Sequence, residues 1–365
     1  MKNVNYVTVM YNGEVVGYLK EIENERIAFQ YDDEWINTGF SISPFSLPLS
    51  NKIYISKYDP FNGIYGVFYD SLPDGWGEYL INKMLVKNGI NPIKVSQLTR
   101  LTLVDKEGLG GLNYVPSSSK DVSLEGENYD DLYTLCKEIL EDKENINFDK
   151  IFQHGGSSGG TRPKVNVKIN NESWIVKFPS RYDSKNIGLE EYKANDIARQ
   201  CGIDVAEFKL FHSNLTSGYF ATKRFDRIGN KRIHTISLSS LLETTYDIPN
   251  LDYMYLFQVI NRISANKEYD LYQAFKRMCF NVFSYNKDDH GKNFSFIYDE
   301  KFKGYVLSPS YDLTILKNKT EHEMTINGNG NPSISDLLFV AQSFKLSEKK
   351  CLEIINDIKN KCKDI

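Results

Sequence analysis

One short polar segment has the residue types and spacing that suit phosphoryl transfer. Asp288 is followed five positions later by Asn293, with His290 and Lys292 between them. In that chemistry an Asp accepts the proton of the attacking hydroxyl, and a nearby Asn binds Mg²⁺ through its carbonyl oxygen. We therefore predict that Asp288 is the catalytic base and Asn293 a metal ligand. Lys292 can stabilise the transferring phosphate, and His290 is grouped with the catalytic residues.

Two alternatives remain open for this segment. Asp289 lacks the five-residue spacing to Asn293, so it ranks below Asp288 as the base. The whole segment can also be a polar turn between a helix and a strand, in which Asp288 or Asp289 forms an Asx turn.

A second carboxylate lies 19 residues after Asn293, in Tyr311-Asp312-Leu313. Two short apolar runs fit between them as a strand hairpin, so oxygens of Asn293 and Asp312 can face one metal ion. We predict Asp312 as the second Mg²⁺ ligand. A turn or a helix cap is the alternative role for this Asp.

Lys177 ends an otherwise apolar strand pattern, where a lysine is costly to bury unless it meets an anion. ATP phosphates and a carboxylate at the start of the next predicted helix, either Glu190 or Glu191, would provide one. We select Glu191 as the partner. An edge-strand lysine that points to water is the alternative.

Two further segments suit nucleotide binding. The glycine-rich run from residue 155 to 160 lets backbone N–H groups turn toward one anion, and we assign Gly159 and Gly160 to the ATP site. It matches neither the P-loop nor the G-x-G-x-x-G pattern, and a flexible linker is the alternative. Residues 223–227 lie where the strand-rich and helical parts meet, so Lys223 and Phe225 are predicted at the adenine. A salt-bridged surface turn is the alternative there.

The elements that must position these residues change in type along the chain. The first 115 or so residues read as short strands, with a hairpin at Asn12-Gly13, and one helix that Asp74 is placed to cap. A small polar linker follows. Next come the glycine loop, two strands joined by a predicted hairpin turn at Asn170-Asn171, a helix from about Leu189 to Gln200 and two more strands, which is the order of a kinase small lobe. The remainder is helical, and its most apolar helix directly precedes Asp288.

Composition narrows the class of protein. The 365 residues include 44 basic and 48 acidic ones, so charge alone does not indicate a nucleic-acid binder. The five cysteines form no C-x-x-C pair, which favours reduced, mostly buried thiols in a cytoplasmic protein. We expect neither a signal peptide nor a membrane span.

Six motifs together resemble the HipA-type kinases, the toxins of bacterial toxin–antitoxin pairs, over nearly the whole chain. Their patterns are LP-D/E-GW, G-A-L, GSSxGGARPK, D-x-H-x-K-N-F-S, P-x-Y-D and L-S-I-N-G. The matching segments, in chain order, are residues 71–76, 110–112, 156–164, 288–295, 308–312 and 324–328.

The resemblance implies an α+β, two-lobed protein-kinase-like fold with an N-terminal β-rich subdomain. The expected domains are residues 1–116 for that subdomain, 117–125 for a linker, 126–226 for the small lobe and 227–365 for the helical lobe. It also implies a Ser/Thr kinase that uses ATP and Mg²⁺, with Lys177 on the phosphates and Asn293 and Asp312 on the metal. Lys223 stands where the best-known members have Glu.

The resemblance further implies regulation and partners. Autophosphorylation of a loop serine, Ser157 with Ser158 as second choice, would eject the glycine loop. The expected partner is a small helix-turn-helix antitoxin similar to HipB, so that DNA is bound only indirectly. The expected substrate is an aminoacyl-tRNA synthetase. A small-molecule phosphotransferase and a catalytically silent pseudokinase that binds an antitoxin remain alternatives.

Overall fold

The structure is a computed structural model that describes residues 3–104, 108–117, 127–143, 147–155 and 159–363. The chain divides into two compact units, which we describe separately. The first unit comprises Met1–Gly188, Lys209–Ile236 and Ser240–Thr245. The second comprises Leu189–Phe208, Ser237–Ser239 and Tyr246–Ile365.

The first unit begins with a five-stranded antiparallel sheet in the order β4-β3-β2-β1-β5. Its strands are β1 (Tyr6–Tyr11), β2 (Glu14–Glu21), β3 (Ile27–Tyr31), β4 (Tyr54–Ile55) and β5 (Leu112–Val115). The predicted hairpin at Asn12-Gly13 is confirmed, and both residues have the positive φ that this tight turn requires. Alternate residues of β1, Val7 and Val9, are fully buried. One face of the sheet therefore builds a core.

In the part of the chain that the structure describes, four helices accompany this sheet. They are α1 (Asp33–Thr38), α2 (Gly66–Tyr69), α3 (Gly75–Lys87) and α4 (Gln97–Val104). The helical spacing of Leu80, Ile81 and Leu85 predicted α3, and all three side chains are buried. Asp74 occupies the N-cap position of α3, but its side chain caps no helix N–H group. The predicted capping role was therefore wrong, because this carboxylate binds elsewhere in the first unit.

A four-stranded sheet in the order β6-β7-β9-β8 forms the other half of the first unit. It contains β6 (Lys164–Ile169), β7 (Glu172–Lys177), β8 (Phe208–Phe211) and β9 (Tyr219–Lys223), and is accompanied by α5 (Tyr129–Leu140) and α6 (Phe148–Gly155). The predicted hairpin around Asn170-Asn171 is confirmed. Trp174 and Val176 of β7 share one buried cluster with Trp76 and Leu80 of α3. This packing fixes α3 against the second sheet.

A buried cluster of charged side chains lies in the first unit, beside the short hairpin of β10 (Arg227–Ile228) and β11 (Lys231–Arg232). Arg224 donates two hydrogen bonds to the Asp226 carboxylate, at 2.9 and 2.8 Å, and Arg227 donates a third at 2.9 Å. Both guanidinium groups also bind the carbonyl oxygen of Gly108, and the Gly110 N–H donates to Asp226. Although burial opposes it, the two arginines hold the pKa of the Asp226 carboxyl well below its usual range.

The second unit is mainly helical. The elements not yet given are, in chain order, α7 (Ile187–Gln200), β12 (Thr235–Ser237), α8 (Leu238–Leu241), α9 (Tyr253–Ile263), α10 (Lys267–Ser284), β13 (Ser295–Asp299), β14 (Gly304–Leu307), α11 (Ile334–Ser343) and α12 (Glu348–Lys361). The predicted central helix is confirmed as α10, of which Ala274, Phe275 and Met278 are fully buried. It ends at Ser284, and the left-handed φ of 60° at the following residue, Tyr285, turns the chain out of the helix.

Two expectations drawn from the composition concern the state of the cysteines and the presence of a membrane-spanning helix. All five cysteines are free and buried, as predicted. Among the described residues, no helix combines the length and the apolar character needed to cross a membrane.

We expect Asp226→Asn to lower the free energy of unfolding by about 3–5 kcal/mol, because two buried guanidinium groups lose their counter-charge. Urea unfolding at neutral pH measures this. The control is Asp357→Asn, which removes an exposed pair with Lys361 and should cost less than about 1 kcal/mol. Equal costs for the two variants would show that the buried cluster contributes nothing special.

The loss of unfolding free energy caused by Asp226→Asn should become smaller as the pH falls. Since the pKa of Asp226 is lower in the folded chain than the roughly 3.9 of an unfolded one, its stabilisation is complete above about pH 5. It is lost as the pH falls below about 4. The difference in unfolding free energy between wild type and variant should therefore narrow on acidification in the same urea titrations, and a constant difference would contradict this.

Candidate active site

The segment after α10 forms a tight loop that fixes Asn293 relative to Asp288. Residues Gly291–Asn293 make one 3₁₀ turn, in which the Asn293 N–H donates to the His290 carbonyl at 2.9 Å. The Asn293 side-chain Nδ2 donates to the backbone carbonyl of Asp288 at 2.7 Å. Because the Asn293 amide nitrogen is hydrogen-bonded to the Asp288 carbonyl, the amide oxygen of the same side chain points away from that carbonyl. That oxygen is the atom type that Mg²⁺ prefers.

The two adjacent aspartates have different surroundings. The Asp288 side chain is 39% exposed, and its Oδ1 lies 3.6 Å from Lys319 Nζ. Lys319 also forms an ion pair with Glu323. Asp289 is 1% exposed and accepts hydrogen bonds from the Tyr253 hydroxyl at 2.8 Å and the Glu323 N–H at 3.0 Å. Asp288 can therefore meet a substrate, whereas the oxygens of Asp289 are engaged inside the protein.

Asp289 begins a buried chain of hydrogen bonds. His322 Nδ1 lies 2.8 Å from Asp289 Oδ2. Tyr253 donates to the same oxygen and accepts from Asn281 of α10 at 2.8 Å. Desolvation, together with the negative charge of Asp289, raises the pKa of Tyr253 well above its usual value, so the phenol remains a donor.

The chain continues from α10 toward Asp312. Asn286 donates to Asn281 Oδ1 at 2.9 Å, and the Thr314 N–H donates to Asn286 Oδ1 at 3.3 Å. Thr314 lies two residues after Asp312. A continuous polar network therefore runs from Asp289, beside the predicted base, to the backbone just after the second predicted metal ligand.

The strand hairpin brings Tyr311, the residue before Asp312, to the predicted catalytic loop. Strands β13 and β14 pair antiparallel, so the start of β13, after Asn293, lies beside the end of β14. The Tyr311 hydroxyl donates to the Lys292 carbonyl at 2.7 Å and is 2.6 Å from Ser295 Oγ. Asp312 itself has a left-handed φ of 55°, a conformation that is uncommon outside glycine and often marks functional positions.

The other two predicted residues of the loop face an aromatic ring. The His290 ring lies 5.0 Å from the Tyr246 ring, centroid to centroid, and Lys292 Nζ lies 5.1 Å from that ring's centroid. This distance suits a cation–π contact. Within the second unit, Asp288, His290, Lys292 and Asn293 therefore lie in one loop, and the Tyr311 hydroxyl, from the residue before Asp312, binds the backbone of that loop.

The remaining predicted residues are distributed over both units. Glu191 is 3% exposed on α7 of the second unit. Lys177 belongs to the first unit, is 9% exposed, and has its Nζ 5.7 Å from the centre of the Phe220 ring. Lys223 forms an ion pair with Glu172 on the neighbouring strand. Their roles at a nucleotide stay predictions, as does that of Phe225.

The glycine loop is described only at its ends. Ser157 and Ser158 lie outside the described residues. Gly160, with a positive φ of 82°, donates its N–H to the Asp74 carboxylate. Gly159 accepts a hydrogen bond from Lys164 Nζ at its carbonyl.

Sequence reasoning missed four residues that organise this region, namely Tyr253, Tyr311, Lys319 and His322. Only Tyr311 carried a signal, since it precedes Asp312 within a motif. The others lie more than 25 residues from the aspartate they contact. No local pattern could identify them.

Comparison with known proteins agrees with this arrangement. The family model described as the HipA-like C-terminal domain matches residues 156–365, more than half of the chain. The model of the HipA N-terminal domain matches residues 7–115. The chain belongs to the HipA family.

Relatives extend the match to named kinases. "Putative kinase Y4dM" of Sinorhizobium fredii is 25% identical over 390 aligned positions, which cover 97% of this chain and 89% of that protein. "Putative kinase Y4mE" of the same organism is 30% identical over 149 positions, covering 38% of this chain and 33% of the relative. The protein is thus a HipA-type kinase.

A solved structure supports the fold. A chain in the complex of HipA, HipB and operator DNA from the Shewanella oneidensis MR-1 toxin–antitoxin system aligns with a TM-score of 0.71 at 20% identity. The alignment covers 98% of this HipA-type kinase and 88% of that chain. The predicted fold class, α+β and two-lobed kinase-like with a β-rich N-terminal region, is confirmed.

We expect substitutions of the two adjacent aspartates to differ in their effect on stability. Asp289→Asn should lower the free energy of unfolding by about 1–3 kcal/mol, because one of its buried donors then faces an amide NH₂ group. Asp288→Asn, the matched control, should stay within about 0.5 kcal/mol of wild type because that side chain is partly exposed. Chemical denaturation followed by circular dichroism tests this, and the reverse order would contradict the assignment of Asp289 as the structural member.

Proposed function

We propose that this HipA-type kinase transfers the γ-phosphoryl group of ATP, with Mg²⁺, to serine or threonine hydroxyls of proteins. The observation that carries the proposal is the pairing of a solvent-accessible Asp288 carboxylate with an Asn293 amide fixed on the Asp288 backbone. In this proposal Asp288 accepts the proton of the attacking hydroxyl. Lys319 keeps the Asp288 carboxylate in place, and Lys292 faces the transferring phosphoryl group.

The donor set suits Mg²⁺. The amide oxygen of Asn293 and the carboxylate of Asp312 are hard oxygen ligands, the type this ion takes from proteins. The hydroxyl of Tyr311, the residue directly before Asp312, donates to the Lys292 carbonyl, which directly precedes Asn293. When bound, the ion would neutralise negative charge on the phosphates of ATP.

The nucleotide-binding roles are proposed residue by residue. We assign Lys177 to the ATP phosphates, Glu191 to the ATP site, and Gly159 and Gly160 to the loop that covers the phosphates. Lys223 and Phe225 are assigned to the adenine. The burial of Lys177 in an apolar strand supports its part of this assignment, since a buried ammonium calls for an anion.

Regulation would act through the glycine loop. We propose Ser157, with Ser158 as the second choice, as the autophosphorylation site. A phosphoryl group there adds about −1.5 to −2 charges, which the ATP phosphates repel, so a modified loop should leave the site.

We propose four segments as the domain organisation of the chain, with limits at residues 1–116, 117–125, 126–226 and 227–365.

The proposed partners follow from the family. The Shewanella oneidensis relative was solved with HipB and operator DNA, which supports a small helix-turn-helix antitoxin as partner of this chain. The net charge of −4 fits a chain that meets DNA only through such a partner. An aminoacyl-tRNA synthetase is the proposed substrate, and its modification would inhibit translation and growth.

Phosphopeptide mapping after incubation with labelled ATP and Mg²⁺, with and without bacterial lysate, tests the activity. We expect label on Ser157 of the wild type and on a lysate protein. Ser157→Ala should lose most of the autophosphorylation, whereas the matched control Ser158→Ala should keep it. Asp288→Asn should lower the rate by about 10²–10⁴-fold, the usual contribution of a general base.

Other outcomes would redirect the assignment. Label transferred only to a sugar or an aminoglycoside would indicate a small-molecule phosphotransferase. Growth inhibition that persists in Asp288→Asn would indicate a pseudokinase that acts by binding. Label on Ser158 alone would correct the choice of serine and leave the kinase assignment intact.

A further inference from the structure

The start of helix α3 holds the downstream end of the glycine loop. The Asp74 carboxylate accepts a hydrogen bond from the Gly160 N–H, and the Trp76 N–H donates to the Gly160 carbonyl at 2.9 Å. Both backbone polar groups of Gly160 are therefore bound by residues that are two positions apart in the sequence. Asp74 is 9% exposed and Trp76 is 2% exposed, so water competes little for these bonds.

Gly75 lies between these two contacts and approaches Gly160 too closely for any side chain. It has a positive φ of 46°, and a Cβ built on it would lie 2.5 Å from the Gly160 oxygen. A contact under about 3.0 Å to backbone atoms cannot be relieved by a side-chain movement. Glycine is thus required at this position both for its backbone conformation and for the close approach.

A third bond completes the anchor. Lys164 begins strand β6 and is 7% exposed. Its ammonium group donates a hydrogen bond to the Gly159 carbonyl. The anchor as a whole consists of Asp74, Gly75, Trp76 and Lys164. Its helix is held in turn by the apolar cluster that joins Trp76 and Leu80 to β7.

We propose that Asp74, Gly75 and Trp76 are positioning residues of the nucleotide site, which hold Gly159 and Gly160 in the conformation that binds ATP. This rests on the proposed function. Glycines lose more backbone freedom on ordering than other residues, so an anchor formed before the nucleotide arrives removes that cost from binding. The N-terminal subdomain then raises the affinity for ATP indirectly. It contacts the glycine loop and does not touch the nucleotide.

The anchor also limits what Gly160 can do. Its N–H is donated to a carboxylate, so it is not directed at a phosphate. Gly160 would therefore act as the fixed end of the glycine loop and not as a phosphate ligand.

Gly75→Ala and Gly89→Ala provide a matched pair of variants to test this. Both glycines flank the same helix, α3, and both have positive φ, 46° and 70°. A Cβ at Gly89 meets nothing within 4 Å, whereas one at Gly75 meets Gly160. The two variants therefore share the backbone strain, and only Gly75→Ala displaces the anchor.

We expect Gly75→Ala to raise the Kd of a non-hydrolysable ATP analogue with Mg²⁺ at least tenfold, measured by calorimetry, and to raise the KM for ATP more than it lowers kcat. Gly89→Ala should keep the wild-type Kd. Asp74→Leu should weaken binding like Gly75→Ala, and Asp74→Asn, which keeps an acceptor oxygen, should restore most of it. Equal affinities for wild type, Gly75→Ala and Asp74→Leu would overturn the proposal.

Hydrogen exchange provides a readout that needs no nucleotide. Peptides covering residues 159–164 should exchange faster in Gly75→Ala and Asp74→Leu than in wild type and Gly89→Ala, because the Gly160 N–H loses its acceptor. Unchanged exchange would overturn the anchor even if ATP affinity falls. A wild-type chain that binds no nucleotide would reject the positioning role together with the proposed function, and the exchange data would still decide whether the anchor exists.

Discussion

The buried carboxylate of Asp289 is the interaction on which the helical unit of this HipA-type kinase depends. A carboxylate that is 1% exposed is tolerated only if its oxygens are hydrogen-bonded, and here a phenol, an imidazole and a backbone N–H surround it. These partners come from the start of α9 and from the segment after Asp312. One side chain therefore fixes two other segments of the chain around the loop that carries Asp288.

This network explains how the neighbouring aspartate can remain exposed and still be held in place. Asp288 directly precedes Asp289 in the chain, so the hydrogen bonds that hold Asp289 also fix the backbone of Asp288. On the far side, Tyr311 binds the Lys292 carbonyl, which ties the start of the Asp312 segment to the same loop. Residues proposed to act on substrate are supported by residues that do not contact it, which is the arrangement a preorganised site requires.

The strand-rich unit uses buried charge in a comparable way. Asp226 lies between two arginines that also bind the backbone of Gly108 and Gly110, so strand β9 is tied to the end of the N-terminal subdomain. At another point Asp74 binds Gly160. In both cases a carboxylate joins the region matched by the N-terminal family model, or its edge, to the region matched by the C-terminal one. The two regions of the first unit therefore form one structure, although a polar linker separates them in the sequence.

The sequence by itself determined the elements and their order. The hairpins at Asn12-Gly13 and Asn170-Asn171, the helix α10 and the free buried cysteines were all predicted, because turn residues and apolar periodicity act over a few positions. Motif spacing was enough to rank Asp288 above Asp289 and to identify the family. Only the tertiary structure decided what each polar side chain binds. Asp74 lies at an N-cap position but binds a loop 86 residues away, and Asp289 meets His322 across 33 residues. Such contacts depend on which faces are buried together, and burial is a property of the assembled fold that local sequence does not encode.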